Sequence, residues 1–146
     1  MNEQLRRALS NTFAFYFKAH SFHWNIEGPR FPSLHKLFGE IYEETFEAVD
    51  GLAERLRALD EYAPTTLGAI QRGSVIQGSL DVPLAYEMVT LLLADNTMLL
   101  DVLHAAYMEA ENNMEHGLSN YLAERIDQHK KFGWMLRATS KGVEGE

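Results

Sequence analysis

His23 and His35, twelve residues apart, and Asp50 and Glu54, four residues apart, are of the types and spacing that hold a metal ion. Imidazole nitrogens combined with carboxylate oxygens suit iron, manganese or zinc, and a chain without cysteine offers no thiolate alternative. His35, Gly39, Tyr42, Phe46, Asp50 and Glu54 recur at helical spacing, a stripe with ligand types at its ends and aromatic residues between them. At ~1.5 Å per residue, His35 and Asp50 lie ~22 Å apart along one helix, too far to share an ion. Two copies of that helix crossing antiparallel about a twofold axis near Tyr42 to Phe46 set His35 of one chain against Asp50 and Glu54 of the other, and the symmetry creates two such sites. His23, at the end of the preceding helical stretch, approaches His35 across a turn. The same residues also have a plainer reading: an interfacial histidine is commonly structural, and acidic residues such as Glu40, Glu43, Glu44 and Glu47 are commonly a solvated face.

These residues must be positioned by helices. Four stretches carry apolar residues at helical spacing, and no useful length alternates as a strand does. The first runs from about Asn2 to Glu27, with Leu5, Leu9, Phe13, Tyr16, His20 and His23 on one stripe, and Gly28 and Pro29 end it. The second runs from about Pro32 to Glu61, with Leu34, Phe38, Ile41, Val49, Leu52, Leu56 and Leu59 facing inward. The third starts near Asp81, read as its N-cap with Pro83 in the first turn, and reaches about Glu111. The fourth runs from about Glu115 to Ser140, with Leu118, Leu122, Ile126, His129, Phe132 and Leu136 along one side. Short turns make two antiparallel hairpins, and a crossover of about twenty residues joins them, with a short helix expected over residues 65–73. The fold class is therefore all-α, a four-helix bundle with a long crossover forming one domain over residues 1–146, and by analogy its topology resembles the ferritin-like plan.

Di-iron sites inside one such bundle use a Glu-x-x-His pair from each of two helices. This chain has no Glu-x-x-His, and its nearest match, Asp101 with His104, reads as a helix-surface pair. The formal net charge of -8 attracts cations and repels a phosphate backbone. No run of the sequence reads as a membrane span, and the polar start MNEQLRRALS does not read as a signal peptide, so a cytoplasmic protein is expected.

The segment HSFHWNIEGPRFPSLHKLF (residues 20–38), followed by VDGLAERLRAL (residues 49–59), strongly resembles the Dps family of mini-ferritins. The resemblance rests on His23, Trp24 and Asn25, then Gly28 and Pro29, then His35, then Asp50 and Glu54 in D-x-x-x-E spacing. His129, Lys131 and the run Trp134, Met135, Leu136 resemble the family's last helix. The resemblance implies a ferroxidase centre at a twofold interface, with His23 and His35 as iron ligands from one chain and Asp50 and Glu54 from its mate. It further implies Trp24 as a nearby interceptor of oxidising equivalents, although Trp24 also reads as core packing. Homo-oligomeric shells of twelve, with hydrogen peroxide or oxygen as oxidant of Fe(II) and a ferric mineral inside, are implied too. Where the family has an aspartate four residues after the second histidine, this chain has Gly39, so of at most two irons per site the second is short of a carboxylate. The start of the last helix resembles the family segment that lines iron-entry pores, with Glu115 and Glu124 as its acidic residues. A nucleoid-compacting role and a shell with weak oxidase activity are the competing readings. With only Arg6 and Arg7 near the start and KGVEGE at the end, no lysine-rich arm is offered to DNA, and DNA binding is not expected beyond weak cation-bridged association.

Overall fold

The computed structural model describes residues 2–141; Met1 and the expected acidic tail with Glu144 and Glu146 lie outside the described residues. Five helices follow in chain order: α1 (Asn2–Asn25), α2 (Phe31–Ala58), the short α3 (Leu67–Arg72), α4 (Ala85–Asn112) and α5 (His116–Thr139). α1 packs on α2 and α4, and α4 pairs with α5, so the two hairpins face each other across one apolar core.

The core stripe of α2 is as expected at Leu34, Phe38, Ile41, Leu52 and Leu56, which are buried, with Leu59 packed at its edge; Val49 departs from it, half-buried while its neighbour Ala48 turns inward. On α1 the expected stripe holds only at its start. Leu5 and Leu9 are buried, but further along Phe15, Ala19, Phe22 and Ile26 enter the core, while Phe13, Tyr16, His20 and His23 are only half-buried. Those two rows lie about a quarter-turn apart on the helix. α1 therefore has two apolar faces, one for its own bundle and one left at the surface beside α2.

α4 departs from two expectations. It begins at Ala85, and the backbone N–H of Leu84 is met by the Glu87 carboxylate at 3.2 Å, so Asp81 caps nothing and Pro83 precedes the helix. Its length and apolarity also suffice to cross a membrane, contrary to the expectation that no segment would. Here that apolarity serves the bundle: Met88, Val89, Leu92, Leu99, Val102 and Leu103 are buried against α1 and α5. Its buried polar residues are paired as well, Asp95 with Lys18 of α1 at 2.8 Å and Asn96 with His129 of α5.

The crossover is tied to α1 rather than left loose. Thr66 caps α3 by accepting from the Ala69 N–H at 3.0 Å. The Asn11 side chain donates to the Gly73 carbonyl and accepts from the Ser74 hydroxyl and the Val75 N–H, and Lys18 donates to the Gln77 carbonyl at 2.8 Å.

In mid-bundle a polar network joins three helices. Arg125 of α5 grips Glu44 of α2 with both guanidinium nitrogens and donates to His129 Nε2 at 3.0 Å, while His129 Nδ1 donates to Asn96 Oδ1 at 2.9 Å. Since arginine only donates, His129 must be neutral with its proton on Nδ1. Burial first, and the Arg125 charge second, hold the His129 pKa well below its ordinary 6.5. In the unfolded chain His129 takes up a proton as pH falls through about 6.5, whereas in the fold it does not. Its contribution to stability is thus complete above that pH and is lost as pH falls below it, by at most about 1.4 kcal/mol per unit. Urea midpoints measured at about pH 7.5 and about pH 5 should fall less for His129→Gln than for the unaltered chain.

Candidate metal centre

The turn between α1 and α2 determines how the two histidines meet. Gly28 adopts φ +112°, a conformation that favours glycine, and its carbonyl accepts from the Phe31 N–H at 3.0 Å. Buried Ile26 anchors the turn, and Pro32 sits in the first turn of α2, where a missing N–H does no harm. His23, near the end of α1, and His35, near the start of α2, are thereby brought face to face. Their rings stack at 3.7 Å between centroids with 17° between planes.

Each ring also donates to the other residue's backbone. His23 Nδ1 lies 2.6 Å from the His35 carbonyl oxygen, and His35 Nδ1 lies 2.7 Å from the His23 carbonyl oxygen. A carbonyl only accepts, so both Nδ1 atoms carry the proton and both Nε2 atoms keep a lone pair. Such a second hydrogen bond is the arrangement that orients metal-ligating imidazoles. Neither Nε2 has a hydrogen-bond partner among the described residues.

Gly39 lies against this pair. A Cβ at that position would meet His23 Cε1 and Nδ1 at 3.1 Å, so the absence of a side chain lets the imidazole rest on α2. A restored aspartate would add a carboxylate but push the ring that it is meant to assist. Gly39→Ala, which adds only the push, should weaken anaerobic Co(II) binding by about tenfold, at the low end of what disturbing a ligand's supports costs. Calorimetry of Gly39→Ala beside Gly39→Asp separates displacement from any gain of a ligand.

Asp50 and Glu54 stand on the exposed face of α2, one helical turn apart. Their mutual hydrogen bond, then the charge of Asp50, push the Glu54 carboxyl above its ordinary range. A divalent cation bound between the two carboxylates would take the place of that shared proton. Among the described residues no three His, Asp or Glu side chains of one chain converge as a metal cluster. The chain thus carries the histidine pair near one end of α2 and the carboxylate pair in its other half. Between them the surface is aromatic: Phe46 and Trp24 are each 57% exposed and Phe17 52%. Trp24 is not core packing; its ring lies 4.0 Å from that of His20. Glu115 stands half-buried just before α5, and Glu124 is exposed about 13 Å further along that helix.

Two clusters escaped the sequence reading. The Tyr16 hydroxyl lies 3.0 Å from His20 Nδ1, and the His20 ring lies flat on Tyr42, with centroids 3.7 Å apart and planes 7° apart. The i, i+4 spacing of Tyr16 and His20 was the available signal, absorbed into an apolar stripe. The Glu44–Arg125–His129–Asn96 network is the other, and it fills mid-bundle with an arginine where a bundle core otherwise suits metal.

Fold and residues together define a ferritin-like bundle whose metal-binding types lie on its outer face. The family model for the ferritin-like domain matches residues 2–144. The chain belongs to that family and, within it, to the Dps mini-ferritins. It is 32% identical to DNA protection during starvation protein 2 of Bacillus anthracis, over 94% of this chain and 97% of that one. The structure of Dps from Staphylococcus aureus, 30% identical, superposes with a TM-score of 0.90 over 94% of this chain and 93% of the other. Dps from Vibrio cholerae O1, described as one of a broad superfamily of ferritin-like diiron-carboxylate proteins, is 28% identical with a TM-score of 0.90, over 94% and 87%.

Proposed function

We propose that this protein takes up Fe(II), oxidises it at a centre shared between two subunits, and stores the ferric product inside a closed homo-oligomeric shell in the cytoplasm. Membership of the Dps mini-ferritins supports a role in iron storage and protection. The observation that carries the ferroxidase reading is the reciprocal bonding of His23 and His35, which leaves both Nε2 atoms ready to bind metal. Asp50 and Glu54 of the partner subunit complete each site, and the exposed Phe46, Trp24 and Phe17 supply the apolar area that a twofold contact covers. Twelve such subunits form the shell, Glu115 and Glu124 draw cations to its pores, and hydrogen peroxide or oxygen is the oxidant. With Gly39 in place of a carboxylate, each site holds one iron firmly and a second weakly. Trp24, beside the site, intercepts stray oxidising equivalents.

Stopped-flow oxidation of Fe(II) by peroxide and by oxygen, run with a mass measurement of the assembly, tests this. A large closed assembly that oxidises iron rapidly is expected. A monomer, or an assembly no faster than buffer, overturns it.

DNA compaction is not part of this reading. Such binding releases counterions through several Lys or Arg contacts, and a net charge of -8 per chain opposes it. In a gel shift at about 150 mM salt with a chelator, no saturable complex should form with duplex DNA at micromolar protein.

A further inference from the structure

We propose that Tyr16 is a redox partner of the iron site, giving one electron to peroxide while its phenol proton passes to His20. This rests on the ferroxidase reading above and adds to it the donor of the second electron that peroxide itself needs, where Trp24 meets only oxidant that escapes. Reduction of hydrogen peroxide to water takes two electrons, and a site that holds one Fe(II) firmly supplies one. Iron alone would cleave the O–O bond to hydroxide and a hydroxyl radical.

An unbroken line of rings leads from the site to Tyr16. The His23 ring lies 5.1 Å from Tyr42, Tyr42 lies flat on His20 at 3.7 Å, and Tyr16 lies 5.6 Å from His20 and 6.3 Å from Tyr42. A phenol that loses an electron becomes a strong acid, so tyrosine is oxidised readily only where a base stands within hydrogen-bond reach. Tyr16 has one, His20 Nδ1 at 3.0 Å. The hydroxyl of Tyr42 and the indole N–H of Trp24 have no hydrogen-bond partner among the described residues, so Tyr16 is singled out although Tyr42 lies nearer the site.

The step balances. Fe(II) and Tyr16 each give one electron to peroxide, its O–O bond breaks, and two protons from solvent complete two waters. The Tyr16 O–H proton stays on His20, leaving Fe(III), a neutral phenoxyl radical and an imidazolium. A later Fe(II) returns the phenoxyl to phenol by giving one electron, and the proton goes back from His20.

The test uses the assembled protein, loaded anaerobically with one Fe(II) per site, mixed with one equivalent of hydrogen peroxide and freeze-quenched for electron paramagnetic resonance. An organic radical should form whose hyperfine pattern collapses when the protein carries ring-deuterated tyrosine. Tyr16→Phe should lower its yield at least tenfold and raise spin-trapped hydroxyl radical, with anaerobic Co(II) binding and assembly mass retained. His20→Gln should also lower the yield, since an amide does not take up the proton. An isotope-insensitive radical, or one that persists in Tyr16→Phe and vanishes in Tyr42→Phe, overturns the proposal. Iron oxidation in the unaltered protein without any protein radical overturns it while leaving the ferroxidase reading intact. Absence of iron oxidation removes both.

Discussion

Alanine in place of His35 or of Asp50 should each slow ferrous oxidation by at least about 100-fold, the upper range seen when only the supports of metal ligands are removed. These residues lie ~22 Å apart on one helix, so a common effect arises only if each site draws on two chains. Complementation makes the test decisive. In a dimer of one His35→Ala chain and one Asp50→Ala chain, both defects fall in the same site and the other site is intact. Mixing the two inactive proteins through a dissociated state should therefore restore about a quarter of the normal activity, since about half the dimers are hybrids with one working site of two. A chain bearing both changes spoils both sites of any hybrid and should rescue nothing. Activity that survives either single change, or fails to return on mixing, would place the centre elsewhere.

Asn96→Ala should produce a large loss of stability, about 1–3 kcal/mol by urea titration at neutral pH, with the proposed metal ligands untouched. Asn96 is 1% exposed; its Oδ1 accepts from His129 Nδ1 and its Nδ2 donates to the His129 carbonyl at 2.8 Å. Truncation leaves the buried His129 Nδ1–H without a partner, at about 1–3 kcal/mol, and takes a second donor from the His129 carbonyl, which lies mid-helix and keeps its bond within α5. An effect near zero would mean that water enters mid-bundle to replace the amide. Asn96→Asp keeps an acceptor for Nδ1 but loses the donor to the carbonyl, and its charge adds the cost of burial, so it should not rescue.

The helices and the histidine pair were legible because they depend on local signals. Strict apolar spacing announced the core face of α2, and Gly28 with Pro29 announced the turn that folds His23 onto His35. What was hidden depends on more than one element. The α1 stripe was placed about a quarter-turn off because its aromatic residues populate two faces, and periodicity alone does not say which is covered. Arg125 in mid-helix reads as surface until Glu44, His129 and Asn96, from three helices, are seen around it. Asp81 was chosen as a cap because its type suits that role, yet the residue before Pro83 avoids helical geometry, and Glu87 serves Leu84 from within the helix. The pairing of Asp50 and Glu54 with the histidines of a second chain is a proposal built on spacing and symmetry, and the complementation experiment is what examines it.

The arginine at the middle of the bundle bears on the order in which this protein matures. A fold whose centre is held by metal must wait for metal, whereas Arg125 is a permanently charged cation built into the chain. Glu44 and His129 are satisfied as soon as the helices come together, so a newly made subunit can reach its native state when iron is scarce. On the function proposed above, cargo then plays no part in quality control: an empty shell and a full one share the same scaffold, and capacity can be stockpiled before the metal arrives.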